Sequence, residues 1–290
     1  MQENKSSLVS ILLFVILSII WGSSFILMKE GMKVLTPYQV ASLRMLSAGL
    51  AMLPFCIKYL KTVPQKSFLL LFFSGLIGTF FPAYLFCIAE TKIDSGIAGI
   101  LNALTPLFTI LIGAIFFASP MPSKKWLGVI IGFIGLVVLI ISGKNTFELS
   151  NLQFASLIVI ATLLYGINLN IVSRYLQHIP SLAVVSVTLS MLIIPSLLIL
   201  FGTQYFNYKV DNPFIQATGA SIFLGVMGTA VATLLFYRLI QISGAVFSSM
   251  VTYGIPFVAL AWGLLAGETI IFFQIGCLFV ILIGVWLAKK

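Results

Sequence analysis

Acidic residues are scarce in this chain: Asp and Glu number seven in 290 residues, against sixteen Lys and Arg. Charged residues make up 8%, where a water-soluble domain carries about 25%. Such a chain cannot clothe itself in a water-facing surface. Histidine occurs once, as His178, in a short loop. The three cysteines, Cys56, Cys87 and Cys277, lie in apolar runs without metal-ligand spacing and read as small buried hydrophobes. No metal or cofactor is expected. No nucleophile is paired with a base, which excludes the usual hydrolytic chemistry. No glycine loop runs into Lys and Ser or Thr, which excludes ATP drive within the chain. The net charge of +9 does not imply nucleic acid, because the basic residues are scattered singly or in pairs between apolar runs. That is the pattern of charge flanking membrane spans.

What the chain has in abundance is hydrophobic residues, at 60%. A spanning helix needs roughly 20 apolar residues. On that count ten spans are expected, at about 8–29, 38–57, 68–89, 95–117, 125–142, 152–172, 182–202, 214–237, 244–266 and 271–288. The first run is too long for the core of a cleavable signal and should remain as a span. The links are short and hold the turn and charge signals: 33–37, 58–66, 90–94, 119–124, 143–150, 174–181 and 203–213. With both termini on one side, that side holds ten Lys and Arg and the other five, Arg44 apart. The positive-inside bias then puts both termini in the cytoplasm.

The chain also reads twice. Gly75, Gly78, Thr79, Leu85, Phe86 and Pro106 recur 150 residues later as Gly225, Gly228, Thr229, Leu235, Phe236 and Pro256. Trp21-Gly22-Ser23-Ser24 in the first span has a counterpart in Tyr165-Gly166-Ile167-Asn168 in the sixth. Each half, 8–142 and 152–288, holds five spans. Because five is odd, the second half enters from the opposite side. The expected fold is therefore all-α and membrane-integral, with ten helices as two inverted five-helix repeats around a central cavity.

Pro106 and Pro256 each remove a donor from an apolar helix and free the carbonyl four residues back, that of Asn102 and of Thr252. Asn102, Thr105 and Thr109 share one helix face, and Ser248, Ser249 and Thr252, with Tyr253 beside them, share another. These are either cavity walls or packing kinks. Trp21, Ser23, Ser24, Tyr165, Asn168 and Asn170 either line the cavity or glue helices together. Tyr84 and Tyr237 are further aromatic wall candidates. Arg44 is the one charge well inside a span. It either holds a substrate carboxylate or phosphate, or snorkels to the interface, or forms a structural pair with Glu30, Glu90, Asp94 or Glu268. Glu90, Asp94 and Glu268 are read as solvated helix ends, or as part of a gate.

Several of these segments together resemble a known family. They are Trp21-Gly22-Ser23-Ser24-Phe25, Arg44-Met45-Leu46-Ser47-Ala48-Gly49, Ala103-Leu104-Thr105-Pro106-Leu107, Tyr253-Gly254-Ile255-Pro256-Phe257 and Gly267-Glu268 with Gln274-Ile275-Gly276. Their order and duplication resemble an EamA-type permease of the drug/metabolite transporter superfamily. The resemblance implies a carrier of a small polar metabolite such as an amino acid, without catalysis, in the cell (inner) membrane. The partners expected are the lipid bilayer and the small-molecule substrate, with a homodimer open as the assembly. Small multidrug pumps of the superfamily carry a glutamate in the first helix. This chain has none there. The first copy also has Phe117-Ala118 where the second has Gly267-Glu268. A membrane scaffold without a substrate is the other reading.

Overall fold

A computed structural model describes residues 2–118, 123–142, 152–268 and 272–289, and among them it is helical with no strand. The expected links at 119–124 and 143–150 fall largely or wholly outside the described residues. The first half comprises α1 (Gln2–Met32), α2 (Pro37–Tyr59), α3 (Phe68–Gly75), α4 (Phe81–Ala89), α5 (Ser95–Asn102), α6 (Thr105–Phe116) and α7 (Ser123–Ser142). The second comprises α8 (Leu152–Ile171), α9 (Ser181–Met191), α10 (Ile193–Gly202), α11 (Asn212–Phe223), α12 (Ala232–Ser249), α13 (Val251–Leu265) and α14 (Phe272–Lys289). Among the described residues, seven continuous helical stretches are long and apolar enough to cross a membrane, and three shorter apolar helices accompany them.

Local chemistry sets the boundaries. Thr36 and Gln39 form a reciprocal capping box at the start of α2, with Pro37 in the first turn where its missing N–H costs nothing. The Gln39 amide also donates to the Thr203 carbonyl at 2.9 Å, tying this end to the exit of α10. Asp211 caps α11 through the Phe214 N–H at 3.0 Å. On α1, Leu17, Phe25 and Met28 are buried, while Leu8, Ile11, Leu12 and Ile19 are more than half exposed. An apolar helix with one buried and one exposed apolar face is solvated by lipid on the second.

The matched glycines sit in matched distortions. Between α3 and α4 the helix widens into a π turn at Leu76–Phe80, and between α11 and α12 at Leu224–Val231. The Gly-x-x-Gly-Thr motif runs into the first from Gly75 at the end of α3 and lies wholly within the second. A π turn displaces the backbone ladder and is frequent at functional sites.

Two expectations about breaks need correction. The proline of the first half does not kink a continuous helix. The helix ends at Asn102, turns through Ala103 and Leu104, and restarts as α6 with Pro106 in its first turn. In the second half the break lies at Met250, and Pro256 sits inside α13. Nor does a loop separate the expected eighth and ninth spans. Helix continues past Tyr237 and bends only at Gly244, whose φ of 78° and ψ of 171° lie outside helical space. A positive φ of this kind is open to glycine and costly for other residues.

Packing partners are exchanged between the halves. α1 lies against α12 and α13, and its counterpart α8 lies against α4, α5 and α6. α2 lies against α9, and α7 against α14. A Cβ on Gly22 would strike Val258, and one on Gly166 would meet the Phe108 and Thr109 backbone at 2.9 Å. Both glycines thus serve the same close helix approach.

The ends of α6 and α13 revise one correspondence. Gly267 and Ala118 both adopt left-handed backbone, with φ of 81° and 52°. By conformation Ala118, not Phe117, stands where the second copy has glycine. Left-handed alanine is strained, so Ala118→Gly is expected to raise stability by about 1 kcal/mol. Thermal unfolding of the two proteins in the same detergent checks this. An unchanged or lower Tm would speak against strain at that turn.

Candidate functional site

The two distorted halves meet around a cavity of about 820 Å³ of empty space, part of it open to solvent. α1 contributes Trp21, Ser24, Phe25 and Met28, and α2 contributes Arg44. The π turns bring Gly78, Thr79, Gly228 and Thr229, and α4 brings Phe86. Asn102 and Thr105 come from the α5–α6 break, and Tyr165, Asn168 and Leu169 from α8. Thr233, Phe236 and Tyr237 come from α12, and Thr252 and Ile255 from α13.

Most of the polar groups here are held by neighbours. The Trp21 indole N–H donates to the Gly228 carbonyl at 3.0 Å, a carbonyl of the second π turn, and its ring packs edge-on against Phe236. Ser74 donates to Asn168 Oδ1 at 2.6 Å, and Asn168 Nδ2 donates to the Tyr237 hydroxyl at 3.1 Å. These two bonds fix the orientation of the Asn168 amide. Arg44 is 9% exposed. Its Nε donates to Thr229 Oγ1 at 2.7 Å, and one terminal nitrogen lies 3.8 Å from Met28 Sδ. Among the described residues no carboxylate lies within ion-pair distance of it. The pairing with Glu30, Glu90, Asp94 or Glu268 offered by the sequence is not formed.

Of the residues singled out from the sequence, Trp21, Ser24, Arg44, Asn102, Thr105, Tyr165, Asn168, Tyr237 and Thr252 are brought together on this wall. Ser23, Tyr84 and Tyr253 are not. Ser23 faces outward and accepts from the Trp262 indole at 2.8 Å. The Tyr84 hydroxyl bonds Ser42 at 2.7 Å, behind the cavity. The Tyr253 hydroxyl is buried without a partner and away from the lining. The Asn102 carbonyl, expected to be free, accepts from Thr105 Oγ1 at 2.8 Å. The break therefore satisfies itself, and what it offers the cavity is side chain. Composition and spacing did not single out Phe25, Met28, Thr79, Phe86, Thr229 or Phe236. The repeat contained a signal for four of them, since Thr79 and Phe86 recur as Thr229 and Phe236.

Next to the cavity residue Met28, ions join the two halves. Lys29, at the end of α1, pairs with Glu268 at 2.5 Å and lies 3.7 Å from Asp94. Glu268 also accepts from the Ser95 N–H at 3.2 Å and the Gly96 N–H at 3.4 Å, at the start of α5. Burial alone would raise its carboxyl. The Lys29 ammonium and the Ser95 amide outweigh burial and hold it below the ordinary glutamate value. Glu268 is thus a cross-half clasp rather than a solvated helix end or an Arg44 partner. On the other half, Arg174 donates to the Phe117 carbonyl at 2.6 Å, a cation on a helix C-terminus without a carboxylate.

Comparison with known proteins gives this geometry a context. The EamA-like transporter family matches residues 8–141 and again 153–289. The uncharacterized transporter YdfC of Bacillus subtilis is 25% identical over 83% of this chain and 78% of its own length. A protein of Salmonella typhimurium named Probable amino-acid metabolite efflux pump is 25% identical over 93% of this chain and 91% of its own. An S-adenosylmethionine/S-adenosylhomocysteine transporter of Chlamydia trachomatis is 25% identical over 94% and 85%. A solved crystal structure superposes with a TM-score of 0.66 at 16% identity, over 98% of this chain and 97% of its own, a likeness of fold alone.

Proposed function

Since the chain belongs to the EamA-like transporter family and is a multi-pass membrane transporter rather than an enzyme, we propose that it carries a small polar metabolite bearing a carboxylate, an amino acid being the leading class. The observation that carries this reading is Arg44. It is a buried guanidinium on the wall of the cavity, with terminal nitrogens free of any carboxylate among the described residues. A fork of this kind takes a carboxylate through two parallel bonds. Trp21, Phe86, Tyr165 and Phe236 supply flat walls for the solute's apolar part, and Asn102, Thr105 and Thr252 supply further hydrogen-bonding groups. The names of the Salmonella and Chlamydia relatives, Probable amino-acid metabolite efflux pump and S-adenosylmethionine/S-adenosylhomocysteine transporter, agree with it.

The transport step is alternating access. Ten spans in two inverted five-helix repeats, 8–142 and 152–288, would rock against each other about the cavity. The exchanged packing partners and the matched π turns support that arrangement. Both termini are placed in the cytoplasm and the protein in the inner membrane, as a monomer or a homodimer, working as an exporter or permease. Pro106 and Pro256 mark where each repeat bends, and Glu268 acts as the gate between them.

The test is a thermal-shift screen of the purified protein against the L-amino acids, followed by uptake into proteoliposomes. A ligand at about a hundred times its Kd stabilises by about 2.7 kcal/mol. At least one amino acid is expected to raise Tm and to show saturable uptake with counterflow. If no amino acid shifts Tm or accumulates, while the protein remains folded, the solute is of another class.

A further inference from the structure

Among the described residues, Glu90 is the one buried carboxylate that this mechanism leaves without a task. It caps α4, one helical turn beyond the cavity residue Phe86, and feels both Arg44 of the cavity wall and the Lys29–Glu268 clasp. It is 4% exposed, and neither of its oxygens has a hydrogen-bond partner. The sequence reading of a solvated helix end does not hold for it. The charged groups acting on it are Lys29 from α1, Glu268 from beyond α13 and Arg44 from α2, and it acts in turn on Cys87 of its own helix. Tyr165 from α8 shares Arg44 and Cys87 with it, and Asp94 from the following link shares Lys29 and Glu268. Both cations are engaged elsewhere, Lys29 with Glu268 and Arg44 with Thr229. An ionised carboxylate cannot persist in such a place without a partner, and the usual escape is protonation.

We propose that Glu90 is a proton-binding site of this transporter, occupied in the present conformation and emptied and refilled as the carrier turns over. The bond formed is a carboxyl O–H to a proton taken from water, and the same bond breaks on release. Burial pushes this carboxyl well above the ordinary glutamate value. Lys29 opposes the rise, Glu268 adds to it, and Arg44 opposes it. The sign of the coupling follows. An anionic solute on Arg44 cancels part of the opposing field and so raises Glu90's proton affinity. By reciprocity the proton tightens the solute. Solute affinity therefore falls as pH rises through the value at which solute-free Glu90 ionises. The coupling, though not the site, rests on the carboxylate reading above.

The experiment is infrared titration of the full-length protein in lipid, without solute. With seven Asp and Glu in the whole chain, a protonated carboxyl band surviving at neutral pH is readily assigned. The band is expected in the native protein and absent from Glu90→Gln, an isosteric change that keeps the neutral form. A native protein without the band at neutral pH, or a Glu90→Gln protein that retains it, overturns the site. In proteoliposomes holding a pH dye, a mixture of L-amino acids should move protons with solute in the native protein. In Glu90→Gln it should move solute alone, with no pH dependence. Solute uptake by the native protein without proton movement overturns the turnover claim. Absence of any amino-acid uptake, with the band behaving as expected, refutes the solute class and leaves the proton site standing.

Discussion

Arg44→Leu is expected to lower solute uptake about a hundredfold, with insertion and folding retained. Truncating one partner of a buried charge pair costs about 2–5 kcal/mol, and each 1.4 kcal/mol is tenfold in binding. The loss should fall on affinity first, since what leaves is the group that meets the solute's carboxylate. Arg44→Lys keeps the charge and loses the fork, so it should recover only part of the activity. Thr229→Val separates the anchor from its support. It removes the Nε contact of 2.7 Å and leaves the terminal nitrogens, so an effect of about 1 kcal/mol, several-fold in affinity, is expected. Uptake kinetics of the three variants in proteoliposomes check the order. An Arg44→Leu protein within threefold of the native one would mean that the guanidinium serves packing and that the solute carries no anion.

The second large effect concerns a glycine with no chemistry of its own. A Cβ on Gly225 would fall on the Ser47 hydroxyl and the Arg44 carbonyl, and 3.0 Å from Arg44 Cα. Backbone cannot rotate aside as a flexible side chain can, so α2 itself must retreat and take Arg44 with it. Gly225→Ala should therefore destabilise by about 2–3 kcal/mol, a fall in Tm of about 5–10 °C, and should impair transport as well. Gly219 provides the control. It lies on α11 with nothing within 4 Å of the added Cβ. Gly219→Ala should be neutral or stabilising by up to about 1 kcal/mol. Equal behaviour of the two variants in thermal unfolding would show that the contact between α2 and the second π turn is not tight.

The frame of the molecule was readable because it is written in composition and in repetition. Apolar length marks the helices, and the Gly-x-x-Gly-Thr recurrence marks where the two copies distort alike. Much of the wall was readable for the same reason: Trp21, Asn102, Tyr165, Asn168 and Thr252 are polar or amphipathic side chains at matched places in apolar runs. What could not be read is which way such residues face. A helix that is apolar all round has no polar stripe to orient it, so Ser23 and Ser24, adjacent in sequence, were indistinguishable, yet one meets Trp262 and the other the cavity. The partners of Arg44 and Lys29 were equally hidden. Sequence shows which charges share an end of the bundle, and only packing decides that Lys29 takes Glu268, that Arg44 takes a threonine, and that Glu90 is left with neither. The break falls at Gly244, where the ninth span was expected to begin, but that it is one residue long could not be read, because a single glycine in an apolar run looks like a packing residue until its φ is known.

That single glycine makes the two halves mechanically unequal. In the first half the chain passes from α4 to α5 through a link of several residues, each with torsions that can share a rotation. In the second half the same turn is a pivot one residue long, at φ 78°. A pivot transmits motion where a slack link absorbs it. A swing of α12 before Gly244 passes straight to its last turns, 245–249, as a crank turns its shaft, whereas α4 and α5 can shift against each other with play between them.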